Sequence, residues 1–282
     1  MIENPAYLVE VTPEERALGQ LNQANANRAY SAMNLQGFAI LRGCFSPAHV
    51  ADMHREYQAQ YGAMTEADMR VLAGKASPVL EVDKGRFEIV LKLVGAFDIR
   101  AYASDLLLRF LIPLMGSDLR LSSVTAVTSY PGAVQQRMHR DAGHLFPEFQ
   151  MGPTLPTYAV NVTVPLIDVD ATMGPTGVWP GSHRLAEGKK PPEEGLLTVP
   201  FLKGDAILID YRTLHAGLPN LSQNVRPILY MVYARSWFVD DTNHRLRSPL
   251  NMPLETFRAL PDNLKPLLMR AYSQIVRAKG LS

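Results

Sequence analysis

From about Leu119 onward, the chain is a series of short segments that resemble β-strands. These segments are rich in β-branched and aromatic residues, and turns containing proline or glycine separate them. Segments of this kind at this spacing predict an all-β sandwich or barrel. The candidate strands are LRLSSVTAVTSY, TYAVNVTVPLIDV, GLLTVPFL, DAILIDY and RPILYMVYARSWF.

The two ends of the chain carry helix signals instead. Thr12-Pro13-Glu14-Glu15 is a capping box with proline at the first helical position, and it predicts a helix that runs to about Gln36. Ser46-Pro47 repeats the cap-plus-proline pattern and predicts a second helix. Leu254 to Lys279 predicts a closing helix, with Gly280 as its stop.

We therefore expect a single domain over residues 1–282, mainly β, with flanking helices at both ends. Its predicted parts are a helical N-terminal part (1–118), a β core (about 119–240) and a C-terminal helical extension (241–282).

The composition is that of an ordinary globular protein. A hydrophobic content of 47% with 20% charged residues excludes a disordered chain, and a net charge of +1 argues against general nucleic-acid binding. The single cysteine, Cys44, excludes an internal disulfide and a thiolate zinc cluster. The most apolar stretch is too short to span a bilayer, and the first residues lack a signal-peptide pattern. We expect a cytoplasmic protein without a membrane or nucleic-acid partner; the oligomeric state is not predicted.

The first motif that indicates a chemical function is His139-Arg140-Asp141. On an extended backbone, residues i and i+2 point the same way, so an imidazole and a carboxylate would face one point. Iron(II) accepts that pair and needs one further histidine to complete a facial triad with three open positions. The spacing alone is a weak signal, because a surface histidine beside an aspartate produces it too.

Two later histidines compete for the third ligand position. His215 follows the buried-looking strand Ala206 to Tyr211, whereas His183 lies in the turn GVWPGSHRL, and we favour His215. The alternative for His215 is a loop histidine at a strand end. His49 and His54 lie on a predicted helix, and we expect both to be solvated.

An arginine at the start of an apolar strand is the second unusual feature. Arg226 shares a strand face with Ile228, Tyr230 and Val232, while Leu229 and its i+2 neighbours face the other way. An unpaired buried charge is costly, so this arginine needs an anionic partner. A protein carboxylate is one candidate. A dicarboxylate cosubstrate is a better one, because guanidinium binds carboxylate bidentately.

The strand TYAVNVTVP carries Val160, Val162 and Val164 on one face and Asn161 and Thr163 on the other. Polar residues on an inward face indicate a barrel with a wet, polar pocket. An edge strand with its polar face in solvent is the alternative that the pattern leaves open.

Together these motifs resemble the phytanoyl-CoA dioxygenase family of iron(II)/2-oxoglutarate oxygenases. The resemblance rests on His139-Arg140-Asp141, GPTGVWPGSHR, GDAILIDYRTLHAGLPN with Arg226, and GFAILRGCFSPAHV, and it covers roughly residues 37–238. It implies a double-stranded β-helix (jelly-roll) core with flanking helices. It also implies that His139, Asp141 and His215 are iron ligands and that Arg226 binds the distal carboxylate of 2-oxoglutarate. Thr163, with Asn161 on the same strand face, matches a site that faces the cosubstrate.

The activity that the resemblance implies is oxidation of a small-molecule substrate by Fe(II), 2-oxoglutarate and O2, with release of succinate and CO2. Arg137, Arg140 and His144 are candidate substrate contacts, and the region 63–100, including Arg86, is a candidate lid. Two alternatives stay open: a metal-dependent hydrolase or cupin-like enzyme on the same residues, and a jelly-roll binding protein without turnover.

Overall fold

The computed structural model describes residues 5–74, 77–149, 151–189, 191, 195–198, 201–240, 242–243 and 250–280. Within these ranges the strands form a large mixed sheet and a small antiparallel one. The strands are β1 (Leu8–Glu10), β2 (Phe38–Arg42), β3 (Val79–Asp83), β4 (Arg86–Val90), β5 (Arg120–Ser129), β6 (Ala159–Pro165), β7 (Thr176–Val178), β8 (Leu197–Thr198), β9 (Ala206–Asp210), β10 (His215–Gly217) and β11 (Arg226–Ala234).

Helices flank the strands on the N-terminal and C-terminal sides. They are α1 (Pro13–Leu18), α2 (Gln23–Gln36), α3 (Pro47–Tyr61), α4 (Glu66–Leu72), α5 (Ile99–Tyr102), α6 (Asp105–Met115), α7 (Leu254–Arg258) and α8 (Met269–Lys279). No helix in the described ranges combines the length and apolar character that a membrane crossing requires.

The eight-stranded sheet has the order β1-β2-β9-β6-β11-β5-β4-β3, and the three-stranded sheet has the order β10-β7-β8. An apolar cluster lies between the two sheets and contains Ile207, Ile209 and Ile228 from the large sheet and Val178 from the small one. The other face of the large sheet packs on the helices. This is the predicted jelly-roll architecture with flanking helices.

The predicted alternation along the central strands is confirmed. Val160, Val162 and Val164 of β6 join the core beneath the helices, as do Leu229 and Met231 of β11. The opposite faces of β6 and β11 therefore point into the space between the sheets. Since β6 pairs with β9 on one side and β11 on the other, the edge-strand alternative is wrong.

The N-terminal part is less helical than predicted. Residues before position 119 supply β1 and β2 at one edge of the large sheet, and β3 and β4 at the other. Only β2 was expected from the sequence. The sequence predicts that the β3–β4 hairpin belongs to a lid. In the structure, Arg86–Val90 pairs with β5, so the hairpin extends the large sheet. Short strands at sheet edges give weak sequence patterns, because tertiary pairing rather than propensity holds them.

Two predicted helices are interrupted. The first ends at Gly19, which adopts a left-handed conformation (φ 62°) and leaves no room for a side chain, since an ideal Cβ would lie 2.6 Å from the Cβ of Asp105. A new helix then begins after the cap residue Asn22. The C-terminal helix breaks between Arg258 and Met269, where two prolines remove backbone donors.

A buried ion pair stabilises the turn that leads into β10. Asp210, at the end of β9, accepts hydrogen bonds from Arg212 at 2.9 Å and 2.8 Å and from the hydroxyl of Thr157 at 2.7 Å. Burial alone would raise the pKa of Asp210, but the hydrogen bonds and charge of Arg212 outweigh it and hold that pKa below its ordinary value. Asp210 and Arg212 lie five and three residues before His215, so the pair supports the position of that histidine.

We expect Asp210→Ala to destabilise the protein by about 3–5 kcal/mol, because it leaves the buried Arg212 guanidinium without its counter-ion. Chemical denaturation at pH 7 measures this loss. Because the folded-state pKa of Asp210 is lowered, the stabilisation is present above the unfolded value near ~3.9 and fades as pH falls below it. The variant and wild type should therefore converge in acid; a constant difference down to about pH 2 would contradict the assignment.

Candidate metal centre

His139, Asp141 and His215 meet at one point between the two sheets. Each offers a ligand atom, and the three atoms lie within 4.8 Å of one another. Asp141 Oδ1 is 3.8 Å from His139 Nε2 and 3.6 Å from His215 Nε2. Two metal–ligand bonds of about 2.1 Å can span up to about 4.2 Å, so both separations allow a shared ion.

A backbone bridge holds the two histidines opposite each other. The amide of His139 donates to the carbonyl of His215 at 3.0 Å, and the amide of His215 donates back at 2.9 Å. The imidazole centroids are 4.5 Å apart as a result. Two residues 76 positions apart thus become direct neighbours, which sequence spacing alone does not reveal.

The remaining ring nitrogens are engaged in a way that prepares both histidines for a metal. His139 Nδ1 lies 2.9 Å from the carbonyl oxygen of Arg137, and His215 Nδ1 lies 3.0 Å from that of Thr213. A carbonyl can only accept, so each Nδ1 carries the proton and each Nε2 presents a lone pair. This second layer of hydrogen bonds is typical of metal-binding histidines. The donor set therefore fits a divalent first-row metal, and two imidazoles with one carboxylate are the ligands of non-haem iron(II) sites.

Asp141 is oriented by two asparagines. Asn161 Nδ2 donates to its carboxylate Oδ2 at 3.3 Å, and Asn243 Nδ2 donates to its backbone carbonyl at 3.1 Å. Oδ1 stays directed at the histidines. Asn161 belongs to β6, so the large sheet fixes the third ligand through a side chain that the sequence pattern placed on the inward face.

The other candidate side chains lie elsewhere. His183 is buried, with Nε2 3.2 Å from the carbonyl oxygen of Asn34, and is outside the triad. Arg140 donates to the carbonyls of Arg212 at 2.7 Å and of Ser182 and Leu185 at 3.0 Å.

His144 also lies away from the cavity, since its Nε2 donates to the carbonyl of Leu185 at 2.7 Å. Of the three predicted substrate contacts, only the exposed Arg137 lines the metal cavity. His49, which the sequence predicts to be solvated, is buried, and its Nε2 lies 2.8 Å from the carbonyl oxygen of Ala96.

A cavity of about 370 Å³ opens beside the triad, and most of the residues that line it are polar. The wall contains two carboxylates from the β3–β4 hairpin, hydroxyl groups from β5 and amides from three separate segments. Its lining residues are Val82, Asp83, Glu88, Ser123, Thr125, Val127, Gln136, Arg137, His139, Asp141, Asn161, Thr176, Tyr211, His215, Gly217, Tyr230, Val232 and Asn243.

Two buried arginines lie behind one end of this cavity. Arg226 is 0% exposed, and none of its three guanidinium nitrogens has a hydrogen-bond partner among the described residues. Burial, with the positive charge of Arg86 nearby, lowers the pKa of Arg226 to about 10. The Tyr230 phenol lies close enough to the guanidinium to offset part of that shift. A buried, unsatisfied guanidinium is a strong indication of an anionic ligand.

Hydroxyl groups with unused hydrogen-bonding capacity lie in the same region. Thr163 is fully buried and its Oγ1 has no partner within the described ranges, and the same holds for Ser129 Oγ. Ser129 pairs in register with Arg226 on one side and with Arg86 on the other. The unsatisfied groups therefore form a patch on the inner face of the large sheet.

The sequence also matches the profile of a known protein family. A profile described as phytanoyl-CoA dioxygenase (PhyH) matches residues 33–228, more than half of the chain. The chain belongs to the phytanoyl-CoA dioxygenase family. The matched segment contains the triad, Arg226, all of β6 and the first three residues of β11.

Curated relatives of this family member include fungal dioxygenases. It is 30% identical over 159 residues to dioxygenase af480 of Aspergillus fumigatus, covering 55% of this chain and 49% of that protein. It is also 30% identical over 146 residues to the iron/alpha-ketoglutarate-dependent dioxygenase ausU of Aspergillus calidoustus, covering 51% and 46%. The chain spans about half the length of these curated relatives.

Solved structures share the fold. HygX from Streptomyces hygroscopicus, solved with nickel and 2-oxoglutarate bound, superposes with a TM-score of 0.58 at 15% identity over 82% of this chain and 95% of that one. AviO1 from Streptomyces viridochromogenes superposes with a TM-score of 0.57 at 19% identity over 77% of this chain and 97% of that one. At these identities the likeness concerns the fold.

The sequence places Arg86 in a candidate lid and does not predict its buried, inward-facing position. In KGRFEIV, Arg86 and Glu88 alternate with Phe87 and Ile89, and the two apolar residues join the core beneath the helices. The alternation that singled out Arg226 would have placed Arg86 on an inward face as well. Asn243 gave no such signal, because it lies outside any strand or helix.

We expect His139→Ala, Asp141→Ala and His215→Ala each to abolish or severely weaken binding of iron(II), because two remaining ligands rarely hold the ion. Circular dichroism should show that the fold persists. His183→Ala is the matched control: it replaces a buried histidine outside the triad and should retain metal stoichiometry. Retention of metal by His215→Ala together with its loss in His183→Ala would reverse the assignment.

Metal affinity should also depend on pH in a defined direction. Burial lowers the pKa of His139, and the neighbouring His215 adds to this effect while Asp141 opposes it. A lowered pKa keeps the imidazole neutral to a lower pH, so affinity should be level from about pH 8 to 6.5 and fall only below that range. Cobalt(II) titrations followed by visible absorption measure this. Constant affinity down to about pH 5 would mean that the imidazoles are not ligands.

Proposed function

We propose that this member of the family is a non-haem Fe(II)- and 2-oxoglutarate-dependent dioxygenase that oxidises a small-molecule substrate. The observation that carries the proposal is the buried, unsatisfied guanidinium of Arg226 behind a cavity that contains a His-Asp-His triad. A metal hydrolase needs the triad but has no use for an orphaned guanidinium beside it.

In the proposed enzyme, His139, Asp141 and His215 would hold iron(II) beside the cavity. With 2-oxoglutarate and O2, such a centre supplies an oxidant while the 2-oxo acid is converted to succinate and CO2. The protein binds and orients the reactants. Asn161 holds Asp141 by its Oδ2, and the backbone carbonyls of Arg137 and Thr213 hold the two imidazoles in the tautomer that binds metal.

Arg226 would bind the distal carboxylate of 2-oxoglutarate, with the unpartnered Oγ1 of Thr163 on the same inner face of the sheet. A carboxylate there would satisfy donors that otherwise stay buried without partners. Tyr230, four residues from Arg226 on the same strand face, lines the cavity.

The cavity supports a substrate of modest size with several hydrogen-bonding groups. A volume of about 370 Å³ must hold the cosubstrate as well as the reacting part of the substrate. Arg137, Glu88 and Asp83 line the cavity together with hydroxyl and amide side chains, and three valines add apolar surface. HygX, a fold neighbour, has been solved with nickel, 2-oxoglutarate and hygromycin B bound. Arg137 is the substrate contact that we retain from the sequence.

The direct test is turnover of 2-oxoglutarate. Purified protein with iron(II), ascorbate, O2 and 2-oxoglutarate should form succinate, and a metabolite extract should accelerate it. Mass spectrometry of the extract should reveal a product that has gained one oxygen or lost two hydrogens. The Asp141→Ala variant is the control. If the protein binds metal but forms no succinate under any of these conditions, the dioxygenase proposal is wrong. The metal-dependent hydrolase and the binding protein without turnover would then remain.

Arg226→Lys should weaken 2-oxoglutarate binding while the metal site is retained. Lysine keeps the charge but loses the planar fork that binds carboxylate bidentately. We expect a loss of about 2–4 kcal/mol, which is a rise of roughly 30- to 1000-fold in the apparent constant for 2-oxoglutarate. Cobalt(II) affinity in the absence of 2-oxoglutarate should be unchanged. An unchanged constant for 2-oxoglutarate would contradict the proposed role.

The variant Arg226→Met tests whether the guanidinium serves to bind 2-oxoglutarate or to stabilise the fold. If the guanidinium serves an absent ligand, its replacement by an apolar side chain of similar length should stabilise the ligand-free protein by about 1–4 kcal/mol. The same variant should no longer respond to 2-oxoglutarate in a thermal shift assay. A structural arginine would give the opposite result: a lower melting temperature and an intact response.

A further inference from the structure

A buried carboxylate lies just beyond the last strand of the large sheet. Asp240 follows β11 in the chain and is only 8% exposed. Its Oδ1 accepts hydrogen bonds from the backbone amides of Thr242 at 3.2 Å and Asn243 at 2.9 Å. Its Oδ2 accepts from the Asn243 side chain at 2.8 Å and from the Tyr211 hydroxyl at 3.2 Å. Four donors surround this side chain, which is the environment of an ionised carboxylate, a group that can only accept.

The Asn243 side chain links Asp240 to the metal ligand Asp141. Its Nδ2 donates to Asp240 Oδ2 and also to the backbone carbonyl of Asp141 at 3.1 Å. Both partners can only accept, so the amide nitrogen must face them, and both of its hydrogens are used. Asn243 is exposed and lines the metal cavity. Its Oδ1 is therefore left as a hydrogen-bond acceptor at the mouth of the cavity.

The phenol of Tyr211 has a fixed polarity for the same reason. Tyr211 is 2% exposed and lines the metal cavity. Burial raises the pKa of the phenol well above its ordinary value, and the negative charges of Asp141, Asp240 and Glu88 add to this effect. The phenol thus keeps its proton and donates it to Asp240 Oδ2. Toward a molecule in the cavity, the Tyr211 oxygen can only accept.

A buried acceptor discriminates between molecules that could enter the cavity. A molecule with a donor group satisfies the Tyr211 oxygen, whereas a molecule with only acceptors leaves two sets of lone pairs facing each other without water. The carboxylates of Asp83 and Glu88 line the same cavity, and as ionised groups they also accept. The arrangement around Tyr211 therefore favours a donor.

We propose that Tyr211 determines substrate specificity by accepting a hydrogen bond from a hydroxyl or protonated amine of the substrate, and that Asp240 is the positioning residue that sets the direction of this bond. The proposal rests on the proposed function, because the substrate enters the same cavity. It narrows the substrate to molecules with a donor at the end that lies in the cavity. It also gives a role to the segment that follows β11.

The experiment compares three probes that share one ring and differ in one group: cyclohexanol, cyclohexylamine and cyclohexanone. Each is titrated into protein loaded with cobalt(II) and 2-oxoglutarate, and the visible absorption of the cobalt reports binding beside the metal. The alcohol and the protonated amine should bind about 3- to 10-fold more tightly than the ketone, which cannot donate. The tighter of the two donors indicates which group the substrate carries. Equal or tighter binding of the ketone would overturn the proposal.

Asp240→Asn should change the order of the probes. The new side-chain oxygen stays with the two backbone amides, so its NH₂ group faces Tyr211 and donates to the phenol oxygen. The phenol proton then turns toward the cavity. The ketone should now bind within about twofold of the alcohol, and the protonated amine, which cannot accept, should bind more weakly than both. A purely structural role of Asp240 would weaken all three probes alike and would contradict the positioning role.

Tyr211→Phe removes the acceptor and should bring cyclohexanol and cyclohexanone within about twofold of each other. Tyr158→Phe is the matched control. Tyr158 is 1% exposed and its ring lies 4.6 Å from Phe238, but its hydroxyl donates to the carbonyl of Gly143 and it is not among the described residues that line the metal cavity. This control should keep the wild-type order of probes. An equal change in both variants would overturn the role of Tyr211, and this pair decides even if Asp240→Asn does not fold.

Failure of this inference is distinguishable from failure of the proposed function. Protein that binds 2-oxoglutarate and forms succinate, but shows no preference for donor probes, would keep the proposed function and overturn the inference. Protein that does not respond to 2-oxoglutarate would contradict the proposed function. The donor preference can then still be measured on protein that contains cobalt(II) alone.

Discussion

The burial of the Arg226 guanidinium is the constraint on which the rest of the site depends. A charged group without a partner in a protein interior costs several kcal/mol, and side chains normally turn to solvent to avoid that cost. Arg226 cannot do so, because β11 is hydrogen-bonded to β6 on one side and to β5 on the other. The central strand holds the charge in place, and the cavity in front of it is where a counter-ion can enter.

The metal centre depends on a different feature, the pairing of distant segments across the small sheet. His139 and His215 exchange two backbone hydrogen bonds, so the distance between their imidazoles is set by backbone geometry. Backbone carbonyls then fix the ring tautomers, and Asn161 reaches from the large sheet to orient Asp141. The three ligands thus meet only when both sheets are assembled, which makes the centre a product of the whole jelly roll.

The N-terminal part contributes more to this site than its helices suggest. Its β3–β4 hairpin extends the large sheet beyond β5 and carries Asp83, Arg86 and Glu88 toward the cavity. The alternate residues Phe87 and Ile89 pack under the helices, so the hairpin is bound to the core on one face and faces the cavity on the other.

The central strands were predictable because their chemistry is local. A period of two places Asn161 and Thr163 opposite three valines, and it places Arg226 opposite Leu229 and Met231, wherever the strand lies in the sheet. The H-x-D spacing worked for the same reason, since two residues on one extended segment share a direction. The capping box at Thr12 also formed as predicted, because all of its atoms lie within one turn.

Other features were decided only by tertiary structure. The early end of the first helix depends on the contact between Gly19 and Asp105, and the burial of His49 depends on the carbonyl of Ala96. Arg140 and His144 lie near the ligands in sequence, but the fold turns both toward the backbone of residues 182–185. Arg86 was visible as a charged residue in an apolar segment, yet nothing local says that it meets Gly217, 131 positions away. Local periodicity determines which face a side chain takes, whereas the partner it meets across the interior is set by how the two sheets close on each other.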